Sequence, residues 1–218
     1  AFQTDRFETN EALYAASAAQ FEAGRWDNAV LGFEQLTLRL PARDTLLPRA
    51  HWFLGQAHLR RDEALLAAQS FVRLVENFPG DSLADDALFE AARAYQSMWR
   101  KPELDKAYGE SALATYQTLL AAYPQSPRVA DAQREIAVLQ DWMAQKDYIA
   151  ASYYVRRRMY DSAIIFLQDV ARLYPSTPTA RKASLDLVDV YRRIRYAEEA
   201  EAVCSELRTR YPDDAEVR

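Results

Sequence analysis

The chain has 218 residues, half of them hydrophobic, and its 27 lysines and arginines against 32 aspartates and glutamates leave a formal net charge of −5. With both signs interspersed, that balance argues against nucleic acid as the main ligand, and no apolar run reaches the length a membrane-spanning helix needs. A single cysteine, Cys204, rules out an internal disulfide and fits either cytosol or periplasm.

In chain order, the first turn signal is Gly24-Arg25-Trp26-Asp27-Asn28-Ala29, which joins two amphipathic stretches. The second stretch carries Ala29, Phe33, Leu36 and Leu40 and stops at Pro41. Steps of four, three and four place these residues on one helix face. The proline ends the helix because it cannot continue the hydrogen-bond ladder. The same stripe returns as Ala67, Phe71, Leu74 and Phe78 before Pro79, preceded by Leu54-Gly55 in its own first helix. Ser82, with Asp85 three residues on, reads as a capping box for the next helix.

An enlarged turn from Met98 to Asp105 then presents Trp99 either as an exposed contact or folded back onto the array. The third stripe is Ala112, Tyr116, Leu119 and Tyr123 before Pro124. Ser126-Pro127 pairs an N-cap residue with proline at the first helical position. From Arg128 to Met159 there is neither glycine nor proline, which predicts one long helix. It would extend about 45 Å at roughly 1.5 Å per residue, with a break near Lys146-Asp147 as the alternative. Arg158-Met159-Tyr160-Asp161-Ser162-Ala163 repeats the first turn signal, and Ala163, Leu167, Val170 and Tyr174 repeat the stripe before Pro175. Thr177-Pro178 marks another start, and the last stripe is Ala200, Cys204, Leu207 and Tyr211 before Pro212. Its place in the stripe makes Cys204 a buried small hydrophobe.

Five copies of one stripe predict an all-α tetratricopeptide-repeat protein, a right-handed superhelix of five helix pairs, or ten helices. Residues 1–125 hold repeats one to three, and residues 126–218 hold repeats four and five with the long first helix. Such arrays act by binding. His51 and His58 are too far apart on one helix for paired metal ligands, and no phosphate loop or nucleophile elbow is present. No catalytic, cofactor or metal site is predicted. Three basic clusters remain, Arg60-Arg61, Arg156-Arg157-Arg158, and Arg192-Arg193 with Arg195. The helix dipole accounts for the first and third. The middle one follows Tyr153-Tyr154, and arginine beside aromatics is a common interface anchor.

From Ser111 to Ser126, Ala150 to Tyr154 and Tyr160 to Thr177 the chain resembles the BamD family. These are the tetratricopeptide lipoproteins of the outer-membrane β-barrel assembly machine. The resemblance implies a non-catalytic scaffold at the periplasmic face of the outer membrane, with rear repeats docked on a POTRA domain of BamA. The family's ion-pairing arginine after paired tyrosines falls on Arg157, with Arg156, Tyr153 and Tyr154 beside it. It also implies front repeats that receive unfolded β-barrel proteins, with Trp26, His51 and Trp52 as local candidates, and contacts with other assembly lipoproteins. Leu40 replaces the usual tyrosine and Asp27 a basic residue, so substrate contacts do not transfer residue by residue. The family's lipidated N-terminal cysteine is not in this chain, which opens on Ala1 and reads as a trimmed version whose membrane contact ran through that lipid. A periplasmic repeat protein that binds TolA, or a general adaptor, are the alternatives.

Overall fold

Each of the five stripes runs to the end of a helix, just before its proline, in the computed structural model, which describes residues 2–217. Ten α-helices follow a short 3-10 turn at Thr4–Arg6 among the described residues. They are α1 (Asn10–Glu22), α2 (Trp26–Arg39), α3 (Leu47–Arg60), α4 (Ala64–Asn77), α5 (Ala84–Met98), α6 (Ala107–Ala122), α7 (Val129–Arg156), α8 (Tyr160–Leu173), α9 (Pro178–Arg193) and α10 (Ala197–Arg210). The fold is all-α, and the helices form tetratricopeptide pairs. Leu40, Phe78, Tyr174 and Tyr211 each leave the helical region, with ψ of 137°, 59°, 50° and 63°. The following proline disfavours αR at these positions.

The stripe residues are the core. Ala29, Phe33 and Leu36 have no exposure, nor do Ala67, Phe71 and Leu74, Ala112, Tyr116 and Leu119, or Ala163, Leu167 and Val170. Each fully buried phenylalanine or leucine contributes about 1.5–3 kcal/mol. Cys204 departs from the reading as a buried residue: it is only half-buried, because α10 packs chiefly on α9 and its far side lies open.

Four pairs turn through the same geometry. Gly24, Asp62, Arg158 and Arg195 all have φ between 57° and 70°, and each lies seventeen residues before its proline. The next amide in each case bonds five residues back, as in Arg25 N to Gln20 O (2.9 Å) and Met159 N to Tyr154 O (3.0 Å). This is the Schellman closure, which satisfies carbonyls at the helix end. In the third pair the enlarged turn replaces it. There Trp99 is folded in at 2% exposure. Gly109 makes room for it, since a Cβ at Gly109 would stand 2.0 Å from Trp99 Cε3.

Helix starts follow the sequence in part. Thr177 Oγ1 accepts from Ala180 N at 3.1 Å with Pro178 opening α9. Ser126 Oγ accepts from Arg128 N at 3.1 Å, and α7 begins later, at Val129. The capping box at Ser82 does not form. Asp81 Oδ1 instead accepts from Leu83 N at 2.8 Å, as Asp44 does from Leu46 N at 2.8 Å. A carboxylate two residues before the amide it accepts from closes an Asx turn, which leaves the serine no role.

α7 is one continuous helix of 28 residues, without a break at Lys146. The chain divides into two compact units, one running through Arg100 and including Ala107–Ile136, the other comprising Lys101–Lys106 and the chain from Ala137 on. The sequence reading placed the division at 125/126, whereas the packing divides inside α7. The first turns of α7 are tied to α5, with Arg128 Nε donating to Asp86 at 2.5 Å and Gln96 Nε2 to Glu135 at 2.7 Å. In the second unit Lys146 Nζ donates to the carbonyls of Glu103 (3.1 Å) and Leu104 (2.8 Å), pinning the 101–106 segment to α7.

Gly109→Ala should drive a methyl into the Trp99 indole and lower stability by about 1–3 kcal/mol. Urea unfolding checks this, and an unchanged midpoint would mean that Trp99 is not held under α6.

Candidate docking surface on α7 and α8

The last turn of α7 carries Tyr153 and Tyr154 side by side because no stripe spacing claims them for the core. Tyr154 stacks on Phe166 of α8 with ring centroids 5.0 Å apart and planes at 21°. Tyr153 meets Tyr154 edge-on at 5.5 Å and remains 46% exposed. Beyond the helix end, Arg157 N donates to Tyr153 O at 3.1 Å. The chain then reverses through Arg158, whose positive φ sets the direction of its neighbours. The Arg157 guanidinium lies over the Tyr153 ring, 5.2 Å from its centroid. A cation over an aromatic face is held electrostatically without losing its donors. Among the described residues no carboxylate pairs with Arg157. Tyr153, Tyr154 and Arg157 are thus brought together as the sequence suggested, with Arg156 exposed beside them.

A feature the sequence reading missed adjoins them. Between α7 and α8 lies a cleft of about 630 Å³ whose walls include Ile149, Tyr153 and Leu173. Its signal was the apolar residues left over once the stripes are removed, Ile149 and Tyr153 one turn apart on α7 and Phe166 and Leu173 two turns apart on α8.

The front-repeat candidates are not gathered into one site. Trp26 is half-buried, edge-on to Phe21 at 5.0 Å, with the Arg60 guanidinium 5.5 Å from its ring. Trp52 packs on Phe71 at 5.3 Å in a different cluster. His51 is only 5% exposed and offers a ligand no surface, against its reading as a contact. Ala50, Leu54 and Ala57 on the same helix are buried, and the ring lies inward with them. Burial, reinforced by the Arg73 charge, lowers its pKa to about 4. The second histidine, His58, is also buried and pairs through Nδ1 with Glu63 Oε2 at 2.7 Å.

The YfiO family model, described as outer membrane lipoprotein, matches residues 7–207. The chain belongs to that family. Its relatives include the outer membrane protein assembly factor BamD of Vibrio cholerae, 25% identical over 192 residues, covering 84% of this chain and 79% of that protein. The BamD of Caulobacter vibrioides is 26% identical over 204 residues, covering 94% of this chain and 67% of that one. Among solved structures, a thermophilic tetratricopeptide-repeat protein of Thermus thermophilus is 20% identical with a TM-score of 0.42, covering 96% of this chain and 95% of that one.

Two outcomes follow from this geometry. Arg158→Gly should relieve the left-handed backbone and raise stability by about 0.5–1 kcal/mol, measured by chemical denaturation; a loss would mean that the arginine side chain outweighs the strain. His51 is proton-free in the fold, while the unfolded chain binds its proton near the ordinary value of 6.5. Its contribution is therefore complete above pH 6.5 and falls as pH drops toward about 4. The loss should be on the order of 2–3 kcal/mol, and His51→Gln should flatten that part of the stability–pH curve. An equally steep curve in the variant would assign the acid sensitivity elsewhere.

Proposed function

We propose that the protein is a non-catalytic scaffold for the assembly of β-barrel proteins into the outer membrane, working at its periplasmic face. One observation carries this reading: the family match runs from residue 7 to residue 207, and the relatives it aligns with are outer membrane protein assembly factors. The rear repeats, residues 126–218, dock on a POTRA domain of BamA through Arg157, Arg156, Tyr153 and Tyr154. The front repeats, residues 1–125, receive the unfolded substrate, with Trp26 and Trp52 as the half-buried aromatics there. Other lipoproteins of the assembly machine are further partners.

The local chemistry supports the docking assignment. Arg157 keeps its hydrogen-bond donors while Tyr153 holds the guanidinium in place, so less side-chain freedom is lost when a carboxylate arrives. A planar guanidinium also meets a carboxylate through two parallel bonds, which gives geometric selectivity. Holding substrate and barrel machine on one chain raises the effective concentration of one at the other, and this requires no covalent step.

Arg157→Glu should weaken binding to isolated BamA POTRA domains by about 2–5 kcal/mol, as for a broken interfacial ion pair. Titration calorimetry measures this directly. Unchanged affinity would remove Arg157 from the interface.

A further inference from the structure

The cleft between the C-terminal half of α7 and α8 has an unusual pairing of apolar walls and acidic rim. Ile149, Tyr153 and Leu173 are 42%, 46% and 52% exposed around its opening. Three large apolar side chains converging on one opening form a patch of the kind that marks a contact site. The Tyr154–Phe166 stack lines it from within.

The rim carries Glu103, Asp147 and Asp169 against a single ammonium, Lys146. That ammonium is already committed to the Glu103 and Leu104 carbonyls. Asp147 accepts one bond, from Tyr174 OH at 2.9 Å, and Asp169 one exposed ion pair, with Arg172 at 2.8 Å. The Glu103 side chain has no partner among the described residues. The rim is therefore short of positive charge.

We infer that this cleft takes a large aliphatic or aromatic side chain from a segment of a partner protein, with a lysine or arginine beside it bound by the Glu103–Asp147–Asp169 rim. The acidic rim opposes the alternative of an anionic lipid surface, which would need basic residues there. The inference rests on the docking reading of the α7–α8 face for the partner's presence, and adds the chemistry of what enters the cleft next to Arg157.

The probe is a pair of short peptides, acetylated and amidated, in a glycine–serine background. One carries adjacent leucine and arginine, the other leucine and glutamate at the same places. Each is titrated into the full chain with detection by NMR. The arginine peptide should give saturable shifts at Ile149, Tyr153 and Leu173, and the glutamate peptide should bind about fivefold more weakly or not at all. Glu103→Gln with Asp169→Asn should remove that preference while leaving the fold's spectrum unchanged. Equal binding of the two peptides, or shifts centred elsewhere, would overturn the inference. Vesicles containing phosphatidylglycerol that shift the same residues would overturn it in favour of a lipid surface, and self-association that shifts them would overturn it in favour of a second copy. Because the peptides contain nothing of BamA, a null result for Arg157→Glu with POTRA domains and a null result here fail separately.

Discussion

Burial of one stripe on the second helix of each pair is the constraint from which the rest of the structure follows. Alanine at its head lets neighbouring helices approach closely, and the larger residues one and two turns on fill the space that this opens. Ala29 with Phe33, and Ala67 with Phe71, are completely buried on those terms. Gly55 shows how tight the fit is, since a Cβ there would lie 2.6 Å from Phe71 Cε1. A helix held this closely must end where the next one begins. The proline supplies that stop, and the left-handed residue at Gly24, Asp62, Arg158 or Arg195 supplies the turn within the pair.

The fold was legible in the sequence because the same signals recur in register. The stripe and its proline gave the helix pairs, and the absence of glycine and proline gave the continuous α7. What the sequence left open were contests between neighbours of similar character. Ser82 and Asp81 both offer an oxygen to the start of α5, and the carboxylate wins by sitting two residues before the amide it takes. The division between compact units lies inside α7 because an ion pair and an amide bond from α5 hold its first turns, and such long-range contacts leave no trace in periodicity. By pattern alone Trp99 fits either side, and Gly109, ten residues on, leaves the space that takes its ring inward. Cys204 occupies a core position by pattern yet stays half-buried, since pattern records which face a residue takes and not whether anything covers that face.

The candidate site was legible only where composition departed from the repeat. Two tyrosines followed by arginines stand out because the stripe does not need them, and the structure joins Tyr153 to Arg157 across the helix end. His51 carried no such contrast: a histidine on an amphipathic helix reads alike on either face, and its side turned out to be the inner one. The cleft was hidden for a different reason. Its walls come from two helices and its rim partly from the 101–106 segment, which is brought to α7 by lysine-to-carbonyl bonds that no motif announces.

The proposed function places the partner on the α7–α8 face, where Ile149, Tyr153 and Leu173 are exposed. Hydrogen–deuterium exchange of the full chain, with and without the BamA POTRA domains, tests it most directly. Exchange should slow in the last turns of α7, the Arg157–Met159 turn and α8, with α3 and α4 unchanged. Slowing confined to α1–α4, or none anywhere under conditions where the two proteins co-purify, would contradict it.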